Sequence, residues 1–299
     1  MSGISKAGAE PDIMPDEASD EAAFDGASPS GDESPGRPSG RPGDSAAVLR
    51  LAGVSVRFGG IAALTDVSME VPAGSVCGLI GPNGAGKTTL FDVVSGVRRP
   101  RTGRVFFDGR DITRVNAVKR ARLGLRRTFQ RVQTFGWLSV EDNLLAALEW
   151  EGGGGGILGD MVASPSRTRR ERKRRERVDE IIERCGLGAV RRDSAGSLPI
   201  GVARMVELGR ALVARPKLVM LDEPTSGLGD AERDLLGAMI SGAGLGEDCS
   251  VLLVEHDVGF VMQHCDLIYV LSLGRVLAAG LPHEIQANPD VRAAYLGSS

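Results

Sequence analysis

The sequence predicts an α/β fold built on a mainly parallel sheet, and three observations carry that expectation. Short apolar runs at 76–80, 218–221, 251–254 and 267–271 have the length and continuity of strands buried on both faces. Stretches with helical spacing alternate with them, the order that lays parallel strands side by side. The first run ends in Gly81-Pro82-Asn83-Gly84-Ala85-Gly86-Lys87-Thr88, a match to GxxxxGK[ST] placed where a strand hands over to a helix.

Taken in order, structure is expected to begin near Val48. Val67-Ser68-Met69-Glu70-Val71 alternates apolar and polar as a half-buried strand does, and Val105-Phe106-Phe107 runs into the hairpin signal Asp108-Gly109. Residues 88–96 read as a helix opened by the glycine-rich loop. From about 130 to 215 the pattern is mostly helical, predicting an inserted helical subdomain within a folded body spanning 46–299. Gly152 to Gly156 is a five-glycine run, flexible by composition. Residues 167–177 carry eight basic side chains against Glu171 and Glu176. Such a run serves nucleic acid or anionic lipid in some proteins. Val178, Ile181, Ile182 and Cys185 continue it at helical spacing, which favours a solvated helix face.

Composition narrows the function classes. Residues 1–45 hold ten acidic and three basic side chains, a net of −7. The total of −3 therefore leaves +4 on the remainder. Poor in large apolar groups, this Ser/Pro/Gly-rich segment is expected to be a disordered acidic tail. No apolar run approaches the ~18 residues of a membrane span and no basic-then-apolar leader is visible, so the chain is expected in the cytosol. Cys77, Cys185, Cys249 and Cys265 match no metal-ligand spacing and read as free thiols.

The loop of Gly81, Pro82, Asn83, Gly84, Ala85 and Gly86 lets backbone N–H groups turn inward on phosphate, with the dipole of the following helix behind them. Lys87 would place a positive charge on the β- and γ-phosphates, Thr88 would ligate Mg²⁺, and Thr89 continues the cradle. The apolar run 218–221 presents Asp222 and Glu223 at a strand end. Asp222 would hold Mg²⁺, and Glu223 would orient and deprotonate the attacking water. Gln130 can contact both metal and water, and His256 follows another strand end, within reach of a γ-phosphate. ATP and Mg²⁺ are thus the expected substrate and cofactor.

Together these motifs, with Arg127-Thr128-Phe129-Gln130, Leu198-Pro199-Ile200-Gly201-Val202 and Val254-Glu255-His256-Asp257, resemble the ATP-binding cassette superfamily over about residues 48–297. The resemblance implies a P-loop NTPase fold: a RecA-like core with an antiparallel β-subdomain and an inserted helical subdomain. It implies that Phe58 stacks on adenine, that Gln130 is the Q-loop, and that His256 is the switch histidine. Two such domains sandwich two ATP molecules, so Gly201, in the signature motif, would serve a site in trans. Val56-Arg57-Phe58-Gly59-Gly60 and the ending Ala294-Tyr295-Leu296-Gly297 resemble the branched-chain amino acid importer ATPases, the longer of that system's two. That branch implies two membrane permease subunits, a paralogous ATPase or a second copy, an external solute-binding protein, and a place on the cytoplasmic face of the membrane. Nucleic acid is not an expected partner. Branched-chain amino acids, urea and short amides are the solutes of the related branches.

The signature departs from Leu-Ser-Gly-Gly-Gln, with Pro199 where the serine hydroxyl would stand and Val202 in place of glutamine, and Gly229 stands where the D-loop carries aspartate. Proline offers neither hydroxyl nor N–H, yet suits a helix start. Two alternatives stand beside this reading: a non-hydrolysing cassette subunit, suggested by Pro199, and a soluble cassette ATPase acting on ribosomes or nucleic acid, suggested by the basic run at 167–177. Phe135, Trp137 and Leu138 follow Gln130 closely, either as a groove for a permease helix or as core of the helical subdomain.

Overall fold

The computed structural model describes residues 47–149, 165–241, 245 and 249–296. The expected tail and the five-glycine run lie outside the described residues.

The described residues form two sheets. β1 (Ala47–Phe58) and β2 (Ile61–Pro72) form a long antiparallel pair. β4 (Thr102–Phe107) lies on the other side of β1, and the two-residue β5 (Arg110–Asp111) closes the order β2-β1-β4-β5. The alternation at 67–71 is realised here, with Val67, Met69 and Val71 buried and Ser68 and Glu70 exposed. Asp108 and Gly109 make the β4–β5 turn with φ of 50° and 73°, the left-handed geometry of tight hairpins.

The second sheet runs β10-β9-β3-β8-β7-β6. β3 (Val76–Ile80), β6 (Leu125–Arg127), β7 (Leu218–Asp222), β8 (Ser250–Val254) and β9 (Leu267–Ser272) pair in parallel, and β10 (Arg275–Gly280) returns antiparallel at one edge. Alternate residues along each strand feed two different cores. Cys77, Leu79, Met220, Leu252 and Val254 pack with the antiparallel sheet and α1 (Lys87–Ser95). Val76, Ile80, Val219, Leu221, Val251 and Leu253 pack with the later helices. Burial on both faces is why these strands read as continuous apolar runs.

After α2 (Ala117–Arg122) and β6 come α3 (Val140–Ala147), α4 (Pro165–Arg184) and α5 (Ile200–Leu212). α3 starts cleanly because Ser139 Oγ accepts from Asp142 N–H at 3.0 Å, with Glu141 and Asp142 in the first turn. The basic run falls on α4, whose Val178, Ile181 and Ile182 are buried while Arg172 and Arg175 pair with Glu176 and Glu171 at i,i+4. α6 (Asp230–Ile240) and α7 (Val258–His264) pack on the sheet, and α8 (Pro282–Ala287) and α9 (Pro289–Leu296) follow the edge strand β10.

Arg120, on α2, is fully buried. Its guanidinium donates to the carbonyls of Val93 and Val94 at 2.7 Å, Ile112 at 2.6 Å and Val115 at 2.9 Å. Two of these carbonyls lie in the last turn of α1, where Val93 also accepts from Gly96 N–H at 3.3 Å, so Arg120 caps the helix that begins at the phosphate loop. Burial lowers its pKa to about 10, which still leaves it charged at neutral pH.

Candidate functional site

The C-terminal ends of β3, β7 and β8 open onto one cavity of about 270 Å³. It is lined by Asn83, Gly84, Ala85, Gly86, Lys87, Thr88 and Thr89 from the loop and α1, with Gln130, Asp222, Glu223 and His256 facing them. Strand ends at a crossover are where parallel α/β sheets place ligands.

The glycines are dictated by space. Gly81 has φ +153°, and a Cβ there would lie 2.1 Å from the Leu271 carbonyl oxygen. At Gly86, with φ +106°, it would lie 2.6 Å from the Ala63 carbonyl oxygen. Gly86 is also the N-cap of α1 and provides no side-chain cap, which leaves first-turn N–H groups free for an anion. Lys87 is buried, and its Nζ donates to the Gly81 carbonyl at 2.6 Å and the Pro82 carbonyl at 3.1 Å. Burial lowers its pKa, while Glu223 and Asp222 act in the opposite sense.

Asp222 ends β7, buried. Its Oδ2 pairs with Arg127 Nη2 at 3.1 Å, and Arg127 also holds Asp92 of α1 at 2.7 Å. Burial raises the Asp222 pKa, opposed by the hydrogen bond from Arg127. Glu223 has φ +50°, a left-handed conformation costly for a residue with a long side chain, of order 1–3 kcal/mol. Its Oε1 sits 2.8 Å from His256 Nε2. Glu255, next in line, is buried and accepts from Thr225 N–H at 2.8 Å, Thr225 Oγ1 at 2.7 Å and His256 N–H at 3.1 Å. Thr88, Gln130 and Asp222 bring a hydroxyl, an amide and a carboxylate to one cavity, a hard-oxygen donor set that suits Mg²⁺ with phosphate oxygens completing the shell.

Four expected site residues lie outside this lining: Gly81 and Pro82 meet it through Lys87, and Phe58 and Gly201 stand apart. Phe58 is partly exposed at the end of β1, one ring face covered by the Arg98 guanidinium 4.2 Å from its centroid. Gly201 is buried in the first turn of α5, where a Cβ would lie 3.3 Å from the Gly227 carbonyl oxygen. Pro199 and Ile200 before it are exposed. Ala63 and Val254 line the cavity without any chemical signature to announce them, and Arg127, Arg204 and Glu255 act on neighbours rather than on the cavity. Trp137 is 80% exposed and packs its ring 5.9 Å from that of Phe135, so it is surface and not core.

A strand–loop–helix phosphate cradle with an acidic strand end opposite it defines a nucleoside-triphosphate-binding α/β protein. The family model for ABC transporter matches residues 64–226, and that for branched-chain amino acid ATP-binding cassette transporter matches 275–299. The chain belongs to the ABC transporter family, as one of its ATP-hydrolysing cassette subunits. It is 38% identical to the high-affinity branched-chain amino acid transport ATP-binding protein BraF of Pseudomonas aeruginosa, over 85% of this chain and 100% of that protein. It is 36% identical to the corresponding LivG of Escherichia coli, with the same coverage. Among solved structures, a nucleotide-free ATP-binding cassette from an ABC transporter superposes with a TM-score of 0.70 at 30% identity, covering 84% of this chain and 99% of that one. A cassette in its ADP conformation superposes equally well, at 28% identity, covering 85% and 100%. No helix among the described residues is long and apolar enough to cross a membrane.

Proposed function

We propose that this chain is the ATPase subunit of an importer for branched-chain amino acids or a related small polar solute such as urea or an amide. The observation that carries the ATPase part is the single cavity joining the phosphate loop to Gln130, Asp222, Glu223 and His256. In this reading the uncapped first-turn N–H groups of α1 and Lys87 hold the phosphates, and Lys87 exchanges its two carbonyl partners for phosphate oxygens. Thr88, Asp222 and Gln130 would hold Mg²⁺, which would supply positive charge against the negative charge developing in phosphoryl transfer. Glu223 accepts the proton of the attacking water, and His256 keeps the carboxylate aimed through the 2.8 Å contact. Phe58 offers its uncovered face to adenine, with Arg98 behind it.

The solute class is carried over from the branched-chain amino acid relatives. The partners follow from the same likeness: two permease subunits, an external solute-binding protein acting through them, and a second cassette whose signature completes the site. With these partners the chain would sit at the cytoplasmic face of the membrane. The exposed ledge of Phe135 and Trp137 suits a permease segment, because an indole this open is otherwise wasted apolar area. The acidic segment 1–45 is proposed as a disordered tail on composition alone.

The test is ATP turnover of the purified chain across a concentration series, with Glu223→Gln as control. Specific activity that rises with protein concentration and vanishes in the variant supports a composite site built by two copies. Flat, near-zero turnover with ATP still bound assigns the second half-site to a paralogous chain. Absence of ATP binding overturns the reading.

A further inference from the structure

α5 presents Arg204, Glu207 and Arg210 at i, i+3 and i+6, one face of a helix. All three grip the main chain of the segment that carries Gln130. Phe129 N–H donates to Glu207 Oε1 at 3.2 Å, Arg204 Nη2 donates to the Gln130 carbonyl at 3.1 Å, and Arg210 donates to the Gln133 carbonyl. Arg204 Nη1 reaches the Glu223 carbonyl as well, at 3.4 Å. At the other end, the Arg210 guanidinium stacks 4.6 Å from the Phe135 ring centroid. Buried Asn143 fastens Phe135 from beneath, accepting from its N–H at 2.9 Å and donating to its carbonyl at 3.0 Å.

We infer that Glu207, with Arg204 and Arg210, is a positioning group for hydrolysis, strapping the Gln130 segment to α5 so that the exposed ledge at Phe135 and Trp137 shifts together with Gln130 and Glu223. The inference rests on the ATPase reading above. Because the strap grips backbone, it holds the segment whatever its side chains do. Glu207 is buried at 8% exposure and lies outside the lining of the nucleotide cavity, so neither ligand binding nor core packing accounts for a carboxylate there. Burial raises its pKa, against the pull of the Phe129 N–H and the two arginines. Arg204 and Arg210 each bury an Nε–H with no partner, a cost that core residues rarely carry and functional networks often do.

Trp137 can report the coupling, since the chain holds two tryptophans and Trp150→Phe leaves it alone. In that background the wild-type strap should give a change in Trp137 emission on adding ATP with Mg²⁺. Glu207→Ala and Arg204→Met should each bind a fluorescent ATP analogue within about twofold of the parent, yet lose most of the emission change and about tenfold in kcat at unchanged KM. Glu207→Gln should restore both, because its amide oxygen still accepts from Phe129. Should Glu207→Ala fail to fold, Arg204→Met carries the same expectation. The proposal is overturned if the emission change and kcat persist in these variants, or if Glu207→Gln behaves as Glu207→Ala. A parent chain that binds no nucleotide overturns the ATPase reading itself, and the strap with it.

Discussion

Glu223 Oε1 and His256 Nε2 lie 2.8 Å apart, at the ends of adjacent parallel strands β7 and β8. The contact exists because Glu223 adopts φ +50°, turning its side chain out of the strand direction while its N–H still bonds the Val254 carbonyl at 2.8 Å. A carboxylate that accepts this hydrogen bond requires the proton to be on Nε2.

Two residues acting as one unit should fail together. Glu223→Gln is expected to lower turnover by roughly 10²–10⁴ while leaving ATP affinity intact, since Glu223 holds no part of the phosphate loop. His256→Ala should also lose turnover, and the double variant should be little worse than Glu223→Gln alone. Phosphate release and nucleotide titration on the four proteins measure this. Additive losses would show that the pair is not coupled.

Arg120 should prove a stability residue. Arg120→Met strips a donor from the carbonyls of Val93, Val94, Ile112 and Val115, of which Val93 and Ile112 keep a backbone N–H, and is expected to cost about 3 kcal/mol in urea unfolding. Gly96→Ala should act through the same contact, because a Cβ there meets Arg120 Nε at 2.7 Å and φ is +82°. A loss under about 0.5 kcal/mol in both, the size of an ordinary surface change, would contradict the buried cap.

These cases also mark what a sequence can and cannot disclose. β3, β7 and β8 were legible because both of their faces are apolar, and the cradle because glycine is required where Leu271 and Ala63 crowd the backbone. β6 was not: it is Leu-Arg-Arg, and nothing in three residues shows that Arg127 will turn to Asp92 and Asp222. Arg120 sits in a segment that reads as a polar surface helix, and only the approach of α1 buries it. The acidic strand end was visible, whereas the conformation of Glu223 and the strap on α5 arise from contacts some tens of residues away.

Glu207 should leave a pH signature in stability. Its pKa is raised in the folded chain by burial, so the proton is held more tightly folded than unfolded. The wild type is therefore favoured below the usual glutamate value of 4.5 and loses that advantage as pH rises through the raised value. Glu207→Gln has no proton to lose. Its melting temperature relative to wild type should accordingly be higher near pH 7 than near pH 4, by differential scanning fluorimetry. A difference constant across that range would mean that Arg204 and Arg210 offset the burial completely.

Pro199 precedes α5 at φ −53° and ψ 150°, giving the helix no side-chain cap. Pro199→Ser would cap it, worth about 1 kcal/mol, and would release unfolded-state freedom worth about 0.4–1 kcal/mol against it. Stability should therefore barely move. Turnover should rise, and rise most at high protein concentration, because the new hydroxyl stands at the exposed N-cap of α5, which a second copy would bring to its neighbour's γ-phosphate. An unchanged concentration series would remove the signature of this chain from the composite site.

Trp137 separates docking from folding. Its ring is 80% exposed, so Trp137→Glu gives up little buried area and should change stability by no more than about 0.5 kcal/mol. The backbone around it is held independently, by Asn143 and by Gly196 N–H donating to the Gly136 carbonyl at 2.9 Å, so the ledge keeps its shape without the indole. Nucleotide affinity of the purified chain should stay within about twofold of wild type. What should disappear is solute uptake in cells or vesicles carrying the complete transporter, since a carboxylate placed in an apolar contact is desolvated without a partner. Uptake that survives would place the permease elsewhere on the chain, and a fall in melting temperature would return Trp137 to the core.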